Sequence, residues 1–295
     1  MKYDELQDIR PDSLLLNRRS RLMLFACIAV LGYIMTGLIT TVLIYKFGAT
    51  SAKILRIAAM IQDILALIAP AIITAMMVTR LPAQLLMLRG GVPNRIWLPA
   101  LSVIIVAAPA MNVVIDMNQN IDATGALAPI VDKLRTMEEN ATAMIEIMQG
   151  TGTWADLLMN ILIIGVAAGV SEELFFRGAL QRLLSTGGVN MHAAIWISAM
   201  VFSAVHMQFF GFIPRVLLGA YFGYLLVWSG SIWLPAAAHA LNNTIYVIFQ
   251  WCYQREGTPD VTIDNIGLGS TWPAAIVSLL ATALLISYIQ KRRRC

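Results

Sequence analysis

WADLLMNILIIGVAAGVSEELFFRGALQRLL, residues 154–184, is the stretch on which the reading of this chain turns. Its first half is almost wholly apolar and long enough to enter a bilayer, where about 20 apolar residues make one helical crossing. Its second half carries Ser171-Glu172-Glu173 and Arg177 without breaking the helical pattern. Ionisable groups inside a membrane are costly and are kept for function. The segment therefore announces both a transmembrane fold and a site within it.

The rest of the chain agrees. Of 295 residues, 58% are hydrophobic and 13% charged, with a mean hydropathy of +0.72. A soluble domain carries nearer ~25% charged residues. Apolar runs at Leu22–Tyr45, Ile57–Thr79, Ile96–Ile115, Trp154–Leu184, Met191–Met207, Pro214–Trp228, Ile232–Trp251 and Trp272–Tyr288 predict an all-α, polytopic transmembrane bundle of about eight helices. With the N-terminus in the cytoplasm, the inside segments hold twice as many Lys and Arg as the outside ones, as topology requires. An even number of spans returns the basic C-terminus to the same side, so both termini are expected to be cytoplasmic. The net charge of +4 sits at segment ends and forms no patch with interleaved aromatics. It gives no ground for a nucleic-acid partner.

Two polar stretches are expected outside. The longer, Asp116–Thr153, is acidic on balance and contains an amphipathic helical pattern over Ala128–Met148. The other is Gln254–Thr271. The three cysteines, Cys27, Cys252 and Cys295, include no C-x-x-C pair, which excludes a disulfide framework and a thiolate metal site. Gly165/Gly169 and Gly219/Gly223 have the G-x-x-x-G spacing that lets helices approach closely.

Few residues remain to carry chemistry. Glu173 and Arg177 stand at i, i+4 with the acid first, the favourable order for a helical ion pair. Glu172 points about 100° away from Glu173 and is left to exchange protons. Phe202 and His206 stand four apart, as do His239 and Asn243, so each pair shares a helix face. Asn242 faces about 100° away from that stripe. A helical rise of about 1.5 Å places Glu172, His206 and His239 about 18, 22 and 11 Å from the cytoplasmic ends of their helices. A shared cavity open to the cytoplasm is expected on that count. His192 and the Glu138-Glu139 pair read as solvated surface, Tyr221 and Tyr224 as interface anchors, and Asp63 finds no role beyond lining the cavity or reaching the outer interface.

Glu172-Glu173-x-x-x-Arg177, Phe202-x-x-x-His206 and His239-x-x-x-Asn243, in this order on successive hydrophobic helices, resemble the three-motif signature of the CPBP family. Its members include the type II CAAX prenyl endopeptidases and the bacterial Abi, or bacteriocin-immunity, proteins. The resemblance implies an intramembrane endopeptidase. Glu172 would be the base that activates a water, His206 would hold that water, and His239 with Asn243 would stabilise the oxyanion. Glu173, Arg177 and Phe202 would support the site. The family is also described as metalloproteases, which would make Glu172, His206 and His239 zinc ligands. Two His and one Glu make a competent zinc set with an open position for water, while the usual H-E-x-x-H helix is lacking; water activation by Glu and His is the favoured reading, and zinc is the alternative. The resemblance divides the chain into N-terminal transmembrane helices with a polar extracytoplasmic loop (1–153), a catalytic core (154–253), and an outer loop with the last helix and basic tail (254–295). It implies a peptide or membrane-protein substrate and a lipid bilayer as partners, in a multi-pass protein whose short loops suit a bacterial inner membrane. The competing readings are a catalytically silent immunity or scaffold protein, which ought to have lost a motif residue, and a proton-coupled transporter, which ought to show paired broken helices.

Overall fold

The computed structural model describes residues 15–48, 50–120, 128–257 and 265–292. Lys2, Arg10, Asp122, Arg293, Arg294 and Cys295 lie outside the described residues. The described chain is helical throughout: α1 (Arg18–Phe47), α2 (Ala52–Val78), α3 (Asn94–Val106), α4 (Ala108–Gln119), α5 (Ala128–Gln149), α6 (Trp154–Thr186), α7 (Met191–Val205), α8 (Phe212–Ser229), α9 (Trp233–Glu256) and α10 (Trp272–Arg292).

Each apolar run read from the sequence is helical, although Ile96–Ile115 is divided between α3 and α4, and the chain is an integral, multi-pass membrane protein. Among the described residues five helices are long and apolar enough to cross a bilayer, or six if α3 and α4 form one span. That pair bends by 43° where Pro109, which has no N–H to donate, opens α4. Two of the eight expected spans are not plain crossings. α7 has 15 residues, about 22 Å, and stops before His206. α9 has 24 residues but is made less apolar by His239, Asn242 and Asn243.

Local chemistry fixes the helix ends. Asn17 accepts from the Ser20 N–H at the start of α1. Thr153 and Asp156 form a reciprocal capping box that starts α6, satisfying N–H groups the first turn leaves unpaired. Asn190 accepts from the His192 N–H at the start of α7. Gly230, at φ +70°, ends α8 in the left-handed conformation that glycine adopts without steric cost, and the chain turns at once into α9.

The bundle has two distinguishable ends. At one, Leu15 donates to the Val78 carbonyl, Arg182 reaches the Leu85 carbonyl, and the Trp233 indole reaches the Leu88 carbonyl. The described chain termini belong to this end, since Ile289 of α10 packs with Ile96 at the start of α3. At the other end lies α5, whose Gln149 alone is buried. The Gln149 carbonyl accepts from Arg56 and Asn160, and Arg56 pairs with Asp156 at 2.8 Å. The opposite half of α5 rests on the turn between α7 and α8, where the Arg135 guanidinium lies 4.9 Å over the Phe210 ring. The amphipathic helix expected at Ala128–Met148 thus exists and lies across the bundle end away from the termini.

Candidate active site

α6 is wound unusually. Its turn Ala168–Glu173 is α-helical, but the flanking stretches Ile161–Ala167 and Leu174–Gln181 are π-helical. Such widened turns recur at functional sites because they re-aim side chains. α6 also approaches α9 closely. A Cβ on Gly165 would meet Thr244 Oγ1 at 2.6 Å, and one on Gly169 would meet the Ala240 backbone nitrogen at 2.8 Å. The first G-x-x-x-G pair therefore brings the Glu172 helix against the His239 helix. The second acts likewise on α8: a Cβ on Gly219 would meet Arg177 Nη2 at 3.0 Å, and one on Gly223 would meet Gln181 Oε1 at 2.7 Å.

A chain of polar groups runs through this contact. Arg177 donates from Nη1 to Glu173 Oε1 at 2.7 Å, and from Nη2 to the Gly219 carbonyl at 2.8 Å. The same Glu173 oxygen accepts from His239 Nδ1 at 2.8 Å. His239 Nε2 then faces Glu172 Oε2 at 3.5 Å. Glu173 and Arg177 are fully buried, His239 nearly so, and the Glu172 side chain is 17% exposed. The sequence linked Glu173 only to Arg177; the fold adds His239 as its second partner. With Nδ1 holding a hydrogen for Glu173, a neutral His239 presents the bare Nε2 to the Glu172 carboxylate.

Rings enclose the chain. Phe222 stacks on His239 at 4.7 Å, and Phe202 meets it edge-on at 5.7 Å. Arg177 lies 4.7 Å over Phe202, a favourable position for a cation on a ring face. His206 sits just past the last turn of α7, where carbonyls lack intrahelical donors. Its Nδ1 bonds the Phe202 carbonyl at 2.7 Å. A carbonyl only accepts, so Nδ1 carries the hydrogen and Nε2 of the neutral ring is an acceptor. Met207 follows at φ +55°, a strained conformation for a non-glycine, and turns the chain away.

Glu172, Phe202, His206, His239 and Asn243 line one cavity of about 650 Å³. Glu173 and Arg177 stand behind it. Asn243 donates to the Ile164 carbonyl at 3.1 Å, and its Oδ1 accepts from Asn242. Four readings of the sequence are corrected. Asn242 also lines the cavity, because α9 is broadly exposed to it. Glu138 is no solvated surface residue; α5 carries it to the cavity, where it accepts from the Phe210 N–H. Tyr221 is no interface anchor; it lines the cavity and donates to the Ala100 carbonyl at 2.8 Å. Asp63 neither lines the cavity nor reaches an interface: it is buried and bonded to Ser171 Oγ at 2.9 Å, beneath the turn that bears Glu172. Of the cavity's lining residues, Gln119, Glu138, Gly211 and Arg215 belong to the α5 end of the bundle. No residue of the terminal end, at 85–89, 185–190 or 230–233, lines it. Termini in the cytoplasm, as expected, would place these cavity residues toward the opposite side of the membrane. Depth counted along helices gave distances from their ends without showing which end is open.

Among the described residues no three His, Cys, Asp or Glu side chains are grouped to hold a metal. Glu172, His206 and His239 share a cavity but do not form a ligand set as placed. His192 remains exposed, with Nδ1 2.8 Å from the Tyr224 hydroxyl, so Tyr224 is also more than an anchor. Only the signal of a charged residue beside the apolar α8 run marked Arg215 in the sequence, and nothing there tied it to the site.

Comparison with known proteins places these observations. Residues 154–245 match the family described as type II CAAX prenyl endopeptidase Rce1-like. Over 112 residues the chain is 27% identical to "Putative membrane peptidase YdiL" of Bacillus subtilis (strain 168), covering 38% of this chain and 43% of that relative. No solved structure matches significantly. The matched segment holds every motif side chain from Glu172 to Asn243, so the resemblance read from the three motifs is borne out: over residues 154–245 the chain is similar to the Rce1-like membrane proteases of the CPBP family.

Proposed function

We propose that the chain is an intramembrane endopeptidase that hydrolyses a peptide bond with a water activated by Glu172. The observation that carries the reading is the convergence of Glu172, His206, His239 and Asn243 on one cavity inside the bundle. The Rce1-like match over residues 154–245 supports it.

The chemistry follows from the hydrogen-bond pattern. His206 Nε2 accepts one hydrogen of the water, and Glu172 removes the other as the water oxygen attacks the scissile carbonyl. The carbonyl π electrons move to oxygen, and the resulting oxyanion faces His239 and Asn243. His239 serves it in the form whose Nε2 carries a hydrogen, Nδ1 remaining on the Glu173 carboxylate. Asn243 offers the N–H not used by Ile164. Such fixed donors stabilise charge that appears only in the transition state. As the tetrahedral intermediate collapses, the C–N bond breaks and Glu172 returns its proton to the leaving amine. Every step in this reading is carried by the chain's own side chains and a free water.

The substrate on this reading is a peptide or a membrane protein approached from the bilayer, and the setting is a bacterial inner membrane. The test is cleavage of a quenched fluorescent peptide by the purified protein in detergent. Wild type is expected to cleave with chelator present. Glu172→Gln is expected to lose about a thousandfold or more in kcat with an unchanged melting temperature. Full activity in Glu172→Gln defeats the mechanism. Loss of wild-type activity with chelator, recovered with zinc, replaces the free water by a metal-bound one.

A further inference from the structure

Arg215 takes no part in the mechanism above, yet among the described residues it is the Lys or Arg that lines the cavity. It projects from the first turn of α8. Nη1 donates to the Gln208 carbonyl at 3.1 Å, and Nη2 to Gln208 Oε1 at 3.4 Å. Both acceptors are neutral. A guanidinium has five N–H donors in a planar fork, so several remain for the cavity. Gly211 makes room for the group: a Cβ there would stand 2.5 Å from Nη2.

Two carboxylates, Glu138 and Glu172, lie near enough to act on the Arg215 charge. Neither forms an ion pair with it among the described residues. Glu172 is engaged with His239. Glu138 is brought in from outside the bundle by α5, the helix whose one buried residue is its last, and is held only by a 3.4 Å contact with the Phe210 N–H. The cavity mouth thus holds a cation with spare donors, and a loosely held internal carboxylate beside it.

We propose that Arg215 is an anion subsite of the cavity that takes a carboxylate of the bound peptide, with Glu138 as the internal carboxylate competing for it. The planar fork matches a carboxylate bidentately. Arg215 lines the cavity from α8 and the Glu172–His239 pair from α6 and α9. A peptide anchored at Arg215 therefore lies with its carboxylate to one side of the bond presented to Glu172. The carboxylate is either the peptide's own C-terminus or an Asp or Glu side chain. This assignment rests on the reading of the cavity as a peptidase site.

The test measures binding and cleavage separately. Full-length Glu172→Gln protein in detergent is titrated, by fluorescence anisotropy, into a fluorescein-labelled apolar hexapeptide in three forms. One has a free C-terminal carboxylate, one is amidated, and one is amidated with a Glu at an internal position. At least one carboxylate form is expected to bind about tenfold or more tighter than the neutral amide, and which one does so names the source. Adding Arg215→Gln is expected to erase the preference and Arg215→Lys to restore part of it. Adding Glu138→Gln is expected to strengthen carboxylate binding severalfold, the opposite sign. Where Arg215→Gln does not fold, Gly211→Ala displaces the guanidinium and reads the same preference. Equal binding of all three forms, no binding of any, or a preference that survives Arg215→Gln overturns the subsite. Cleavage of the neutral amide by the unmodified protein judges the peptidase reading alone.

Discussion

Glu173 and Arg177 are buried without any exposure, and each compensates the other's charge in a region with little water. Removing Arg177 leaves the buried Glu173 carboxylate with His239 alone and no cation on its own helix, and breaking a buried pair in this way costs about 3–5 kcal/mol. Arg177→Met is therefore expected to lower the unfolding free energy by about that amount, read from thermal or denaturant unfolding in detergent. His206→Ala tests a different quality. Its ring is partly exposed to the cavity and its bond goes to a helix-terminal carbonyl, so the protein is expected to fold while kcat falls by about 10²–10⁴. A stability loss as large as that of Arg177→Met would make His206 structural. At this scale the sequence was informative about pairs within one helix, since i, i+4 spacing is fixed by helical geometry. It was silent on the second partner of Glu173, because His239 lies 66 positions away and no local rule relates them.

At the scale of helices, small residues set the distance between α6 and α9. A Cβ at Gly169 would press on the backbone of Ala240, which cannot rotate away as a side chain can. Gly169→Val is expected to separate the helices, weaken the Glu172–His239 contact and abolish cleavage, with a lower melting temperature. Gly37 supplies the control, since a Cβ there meets nothing within 4 Å. Gly37→Ala is expected to leave activity intact and to be neutral or stabilising by up to about 1 kcal/mol. Loss of activity in both variants would show that the effect is not specific to the α6–α9 contact. The G-x-x-x-G spacing was visible in the sequence, though not which helix it faced. The bend at Pro109 and the early end of α7 were hidden because continuous apolar composition looks the same in a straight, bent or interrupted helix.

At the scale of the molecule, termini and cavity mouth lie at opposite ends of the bundle. The distribution of Lys and Arg favours cytoplasmic termini, and the mouth with Glu138 then faces the outside. A Glu138→Cys variant, with the native cysteines replaced by serine, is expected to react with a membrane-impermeant maleimide in intact cells. Arg89→Cys, at the terminal end, is expected to react only after permeabilisation. The reverse pattern turns the whole chain over in the membrane and opens the cavity to the cytoplasm.

The sequence alone determined that this chain is a helical membrane bundle and that its chemistry rests on a few side chains, because apolar run length and the rarity of buried charge are local properties set by the bilayer. It also determined which side chains share a helix face. Only the tertiary structure decided that Glu173 reaches His239 and that Glu138 and Arg215 join the cavity. These depend on how helices distant in the chain pack against one another, and composition and periodicity carry no record of which faces meet.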